Sequence, residues 1–390
     1  MKDNDEMKEY LNAFGFRTDK DPFPATPPTN VDYWADNDKV FKKIIQMERD
    51  SLLFDSSSLY IFWGPYGSGK TFAAYYLETL NKDPAMATEM GLSKKPVETI
   101  VLPATRPTRG SQVIYNIHLH ISKNLISKIL LDRDLLAVLR TNTNKLGPGE
   151  IKEAIKDMTS KIPLTLSGEY GTDLVSSSEG YKYLTNGRSK IGKVLDIYSL
   201  TSIINVLMQV VLERNRRVVI AIDELENLTT VTTSERLMIN DYIRRLYDDN
   251  PRGLSLILIF TYDSYDDINI VIEPSIISRK RDVIEFSYPE EGDIEKYIKG
   301  CIEERASRKL NEVMESEVLK KIVKLLTSTL GKTITFRKIN FEMHSIMRNI
   351  YEATGDHPQN FKITLKSFDE IYGKRTEELM NEVRKRQKKS

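Results

Sequence analysis

Residues 59–71 read Leu59-Tyr-Ile-Phe-Trp63, then Gly64-Pro65-Tyr66-Gly67-Ser68-Gly69-Lys70-Thr71. Five apolar residues stopped by a glycine predict a strand buried on both faces of a parallel sheet. The next eight residues match GxxxxGK[ST] in the strand-to-helix setting that this motif needs. Glycines at 64, 67 and 69 let the backbone bend so that successive N–H groups point at one polyphosphate, and the following helix offers its positive end to the same anion. Pro65, Tyr66 and Ser68 complete the loop and Phe72 follows it, so 64–72 is the candidate phosphate cradle. The plainer alternative, a glycine turn ending in a surface lysine, does not explain the strand in front of it.

Working outward, similar apolar runs occur at Val218–Ile222 and Leu254–Phe260, with a further candidate strand at Glu98–Leu102. Helical spacing separates them, at about 32–50, 70–81, 111–140, 199–214 and 235–248. Strands alternating with helices predict a doubly wound α/β sheet. After Tyr288-Pro289 only helical periodicity remains, at 293–310, 315–329, 335–352 and 364–386. The expected organisation is an extended arm over 1–30, whose four prolines between 22 and 28 exclude a helix there, then an α/β core over 31–287. A small helical domain over 288–372 and a basic tail over 373–390 follow. Inside the core, 141–198 is rich in Gly, Ser, Thr and Asn with one modest helical pattern, and reads as a long functional or mobile insertion.

The second motif is Asp223-Glu224, at the carboxyl end of Val218–Ile222. Adjacent strand residues point opposite ways, so two neighbouring carboxylates can take two different jobs. Asp223 would hold the shell of a Mg²⁺ ion and Glu224 would orient and deprotonate a water. Lys70 would bridge the β- and γ-phosphates of ATP, and the Thr71 hydroxyl would ligate the same Mg²⁺. The alternative for Asp223 is a simple helix cap. Guanine is less favoured than adenine, because no [NT]KxD element is present.

Composition narrows the rest. Lysine plus arginine number 57 against 56 acidic residues, so no global charge points to nucleic acid or to a membrane. One cysteine, Cys301, permits no internal disulfide and suits a reducing compartment. No apolar run approaches the roughly 20 residues that span a bilayer, and a soluble, cytoplasmic protein is expected. Four histidines, with His118 and His120 on nearly opposite faces of one predicted helix, do not build a metal centre.

The cradle followed by VVIAIDELENL resembles the AAA+ ATPases. The stretch ISRKRDVIEFSYPEEGDIEKYIKGCIEERA is similar in particular to the branch holding the origin recognition complex ATPases and DNA-transposition regulators. Arg281, Ile284, Phe286, Tyr288 and Pro289 fit the strand and Tyr-Pro that open the helical lid in that branch. The resemblance covers about 20–370. It implies ATP hydrolysis with Mg²⁺ and a homo-oligomer in which an arginine acts across the interface. Thr261 is implied as the polar sensor after the Asp-Glu strand, with Asp263 as a rival. Arg279 and Arg281 are the candidate arginine fingers, and Arg244 and Arg245 could also face a neighbour. Arg337 best matches the lid arginine that reads the nucleotide, and Tyr33 or Trp34 is placed near the base.

Two functions follow from the resemblance. In one, the protein is a nucleotide-driven, DNA-associated switch or remodeller in replication, transposition or a mobile-element or defence context, with the RKRQKKS run at 384–390 touching phosphates. In the other, 141–198 recognises a protein partner and nucleic acid is irrelevant. The branch usually carries a winged helix beyond the lid; eighteen residues follow 372, so sequence-specific binding of the origin type is not expected.

Overall fold

Among the described residues, apolar runs become five strands: β1 (Ser58–Gly64), β2 (Val97–Pro103), β3 (Arg217–Asp223), β4 (Leu254–Thr261) and β5 (Lys280–Glu285). The computed structural model describes residues 11–16, 21–24, 31, 34, 38–92, 97–103, 110–142, 148–162, 170–187, 195–213, 216–305, 308–354 and 361–373. The helices used below are α1 (Asp38–Leu53), α2 (Lys70–Lys82), α3 (Gly110–Leu131), α4 (Arg133–Asn142), α5 (Gly149–Ser160), α6 (Tyr170–Ser176), α7 (Glu179–Asn186), α8 (Ile197–Leu212), α9 (Thr233–Asp248), α10 (Glu291–Gly300), α11 (Ser316–Leu330) and α12 (Phe336–Thr354).

All pairings in the sheet are parallel, and the strand order is β2-β3-β4-β1-β5. From β1 the chain crosses to the far edge, works back through β3 and β4, and then passes to the other side of β1. The carboxyl end of β1 is therefore a topological switch point, where open α/β sheets bind ligands. Leu254–Phe260 of β4 are 0% exposed and Leu59–Phe62 of β1 at most 1%, as unbroken apolar runs require when both faces are covered.

The chain divides into two compact units. One comprises Lys43–Gly64 and Leu77–Glu285 and holds the sheet; the other comprises Met1–Lys42, Pro65–Tyr76 and Phe286–Ser390 and is helical. Each has its own apolar core, centred on the strands with α3 and α8 in the first and on α10, α11 and α12 in the second. The arm contributes to the helical core: residues 11–13 are helical, and Leu11, Phe14, Phe16 and Phe23 are buried there. Residues 25–30, Tyr33 and the basic run at 384–390 lie outside the described residues.

Besides the helical residues 11–13 of the arm, two expectations change. The helix expected over 111–140 is two helices, because the Asp132 carboxylate accepts hydrogen bonds from the Asp134 and Leu135 amides and starts α4 afresh. The stretch 141–198, expected to hold one helix, contains α5, α6 and α7 and the first residues of α8. Its turn-forming residues act as helix ends: Ser178 caps α7 through the Tyr181 amide, and Gly187 closes α7 at φ +57°. Gly180 lies so close to α5 that a Cβ would sit 2.0 Å from the Ala154 carbonyl oxygen. Among the described residues, no helix is long and apolar enough to cross a membrane.

Two buried titratable side chains set the response of the sheet-bearing unit to pH. Glu48 of α1 is 1% exposed, and burial raises its carboxyl to about 7, with the Asn81 amide and the Arg217 guanidinium offsetting only part of that. His118 of α3 is fully buried, its Nε2 2.9 Å from the Leu184 carbonyl oxygen, and burial lowers its imidazole to about 4. Between pH 4.5 and 7 the folded chain keeps a Glu48 proton that the unfolded chain releases, so this contribution is lost as pH rises. Between 6.5 and 4 the unfolded chain takes up a His118 proton that the folded chain refuses, so this one is lost as pH falls. Each amounts to about 3 kcal/mol across its window, and the two oppose. We therefore expect Glu48→Gln to gain stability as pH rises from 4.5 to 6.5, and His118→Gln to lose it. Urea unfolding at several pH values reads both slopes; identical slopes for both variants and the parent would refute the assignment.

Candidate active site

In the sheet-bearing unit three strands present polar groups at their carboxyl ends. β1 ends in Gly64, whose carbonyl oxygen accepts from the Tyr262 amide just past β4 (3.2 Å). β3 ends in Asp223, 6% exposed, whose Oδ1 accepts from the Glu224 amide (2.8 Å). Glu224 has φ +59°, the one non-glycine residue with positive φ among the described residues. A side chain in that region costs about 1–2 kcal/mol and persists only where its surroundings impose it. Here the imposition is the 3₁₀ turn Leu225–Thr230, pinned by fully buried Leu225 and Leu228. The turn leaves the Glu224 carboxylate exposed, accepting from Asn227 Nδ2 at 3.2 Å.

Thr261, the expected sensor, ends β4, and its amide donates to Glu226 Oε2 at 3.0 Å. Glu226 was not singled out by the sequence, although it is the third acidic residue of Asp223-Glu-Leu-Glu226. Burial raises its carboxyl, assisted by the charge of Asp223, while hydrogen bonds from the Thr261 amide and side chain pull the other way. Asp263, the rival sensor, is exposed one residue beyond Tyr262.

The arginine candidates are held by carboxylates of their own unit. Arg279 makes a two-pronged bond with Asp248, Nε to Oδ1 at 2.9 Å and Nη2 to Oδ2 at 3.0 Å, and also donates to the Ser275 carbonyl. Arg281 reaches Asp50 and Ser58, both at 3.3 Å, with its guanidinium 4.7 Å from the centre of the Phe54 ring. Because Lys280 and Asp282 pair with Leu59 and Tyr60, Arg281 sits at the opposite end of β1 from Gly64, about 17 Å away at roughly 3.3 Å per residue. Arg244 and Arg245 both bond to Asp241.

The helical unit holds the loop itself. Gly67 and Gly69 have φ +79° and +101°, values that side-chain-bearing residues rarely take. A Cβ on Gly67 would lie 2.9 Å from Arg337 Cβ and 3.0 Å from Thr335 Oγ1. Lys70, at the start of α2, is 4% exposed and folded across the loop: its Nζ donates to the Pro65 carbonyl oxygen at 2.8 Å and to Ser68 Oγ at 3.4 Å. Thr71 and Phe72 are half-buried in the first turn of α2. Arg337, from the first turn of α12, lies against this loop. Its amide faces the Gly67 carbonyl oxygen at 3.4 Å, its guanidinium lies 4.4 Å from the Tyr66 ring centre, and Nη1 donates to the Tyr66 hydroxyl.

The arm meets the same helical unit. His344 and Asn340 of α12 hold Asp21 and the Pro24 carbonyl oxygen, at 3.0 and 2.8 Å. Trp34 packs against Phe41, Phe72 and Tyr76 with ring centroids 5.2–5.6 Å apart. The Trp34 side chain is thus in contact with the helix that follows the cradle.

No protein-family model matches this sequence, and no curated protein matches it. Among solved structures, Drosophila ORC bound to DNA is similar with a TM-score of 0.50 at 11% identity, over 94% of this chain and 66% of that one. The Aeropyrum pernix ORC1 protein in complex with DNA gives 0.48 at 13% identity, over 90% and 69%. The Thermotoga maritima RuvB Holliday junction branch migration motor gives 0.41 at 11%, over 90% and 73%. At these identities the likeness is one of fold, a parallel α/β sheet together with a helical domain.

Proposed function

We propose that this chain binds ATP with Mg²⁺, hydrolyses it, and uses the cycle as a DNA-associated switch within a homo-oligomer. The observation that carries this reading is Lys70, an almost fully buried ammonium turned back into its own loop, where Gly67 and Gly69 take positive φ. A buried cation stays charged only where oxygens surround it. Two of the loop's own oxygens hold it, and a phosphate is the ligand that such a cradle suits. Arg337 against the same loop adds a second positive group.

The residues divide the work by their chemistry. Backbone amides of 64–71 and the start of α2 bind the polyphosphate, Lys70 and Arg337 neutralise its charge, and Glu224 holds and deprotonates a water. Thr71 and Asp223 are hard oxygen donors, and among the described residues no cluster of three or more His, Cys, Asp or Glu side chains offers a full cage. Thr71 through its hydroxyl and Asp223 through its carboxylate would hold a Mg²⁺ ion. When bound, that ion stabilises the charge that develops on the transferred phosphoryl group. Thr261 would orient the water from the end of β4, and Arg279 or Arg281 would act on a neighbouring subunit's nucleotide. The DNA-associated part rests on the fold shared with the Drosophila protein bound to DNA and on the five basic residues of 384–390.

Lys70→Ala should weaken ATP binding by more than about a hundredfold, read by calorimetry with Mg²⁺. Glu224→Gln should keep binding within a few fold while lowering turnover about 10²- to 10³-fold; an unchanged rate would place the base elsewhere. If the basic run contacts duplex DNA at five phosphates, the logarithm of the binding constant should fall against the logarithm of salt with a slope of about −4.5. Absence of DNA binding at low salt, with and without a nonhydrolysable ATP analogue, would leave protein-partner recognition through 141–198 as the surviving reading.

A further inference from the structure

The carboxyl ends of β1, β4 and β3 are joined in sequence by hydrogen bonds that lie outside the sheet ladder. The Tyr262 amide donates to the Gly64 carbonyl oxygen, the neighbouring Thr261 amide donates to Glu226 Oε2, and Glu226 belongs to the turn that carries Glu224. Of these links, the one between β4 and the turn after β3 is made by a single side chain. That turn is under strain, since Glu224 sits at φ +59°, and it is fixed from below by the apolar contacts of Leu225 and Leu228. Apolar contacts fix the depth of a turn far better than its lateral position. A hydrogen bond from its upper side to the end of the next strand supplies what they lack.

We propose that Glu226 is a positioning residue: by accepting from the Thr261 amide it sets the spacing between the end of β4 and the turn that presents Glu224. The proposal rests on the hydrolase reading above, in which Glu224 holds the attacking water and Thr261 orients it. Two groups on one water must be held to within a few tenths of an ångström, and a misplacement of about 1 Å can cost roughly 10²-fold in rate. Glu226 acts through the Thr261 amide. Its carboxylate is directed at a backbone amide, so the property that matters is an acceptor oxygen at the right reach rather than a negative charge.

Three substitutions separate reach from charge. Glu226→Ala removes the acceptor, Glu226→Asp keeps the charge but shortens the side chain by one methylene, and Glu226→Gln keeps the reach and an acceptor oxygen without the charge. The expected result is a 10- to 100-fold fall in kcat for the Ala and Asp variants, with KM for ATP within about threefold of the parent, and recovery to within about threefold of the parent kcat for Gln. Hydrogen exchange of peptides covering 258–264 should show the Thr261 amide exchanging at least tenfold faster in Ala and Asp, and protected in Gln. Should Ala fail to fold by circular dichroism, Asp against Gln carries the same comparison. Equal kcat in all variants, equal loss in Asp and Gln, or a change confined to KM would each overturn the proposal. If the parent hydrolyses no ATP, the hydrolase reading fails by itself. Exchange at Thr261 then decides whether Glu226 ties the two elements together, and unchanged protection in the Ala variant would sink that as well.

Discussion

The structure depends on how β1 stops. A strand buried on both faces carries no polar side chains with which to make a site, so the chemistry has to begin where its apolar run ends. Gly64 ends the run, and Gly67 and Gly69 take backbone angles closed to other residues. This brings Lys70 back across its own loop rather than out to solvent. An ammonium at 4% exposure is costly without oxygen partners, and the Pro65 carbonyl and Ser68 hydroxyl supply them. The loop is thus organised around a positive charge that its own carbonyl and hydroxyl oxygens hold.

The same logic of a local cost met by surrounding contacts explains Glu224. Its left-handed backbone would relax in an isolated turn, and buried Leu225 and Leu228 prevent that. Backbone strain concentrated at one exposed acidic residue, in a molecule whose other described positive-φ residues are all glycines, marks the position as one where geometry matters more than local comfort. Glu226 then ties that turn to β4, so the two carboxylates of the Glu-Leu-Glu run have opposite tasks, one open to solvent and one turned to the backbone.

The strands and the bent loop after β1 were legible because their signals are short and local: an unbroken apolar run, a stop, and a fixed spacing of glycines. The 141–198 stretch was not, because Ser, Gly and Asn mean either loop or helix end, and composition does not separate the two. Ser178 and Gly187 mark the ends of α7, and Gly180 is small because α5 runs against it. The arm was misjudged for a related reason. Its prolines rule out regular structure over 22–28 but say nothing of Leu11, Phe14, Phe16 and Phe23, whose burial comes from helices more than 270 residues away in sequence. Glu226 escaped notice because its partner is a backbone amide, which no residue pattern records.

The arginine candidates show how structure can rank what sequence leaves level. Both are bound within their own unit, and that alone argues against neither. Arg279 and Asp248 are a third or more exposed, and an ion pair so placed contributes only about 0–1 kcal/mol. An arginine acting across an interface contributes about 10³- to 10⁵-fold in rate, or roughly 4–7 kcal/mol, so giving up such a pair is a small loss. Arg281 has more to give up: a carboxylate, a hydroxyl and the face of Phe54 hold it at once. Its neighbours fix it to the amino-terminal end of β1, whereas Arg279 is held by one side chain, Asp248, and by the Ser275 carbonyl of the short helical turn before it. On the reading proposed above, Arg279 is therefore the candidate with less to give up, while Arg281 secures the edge strand to α1.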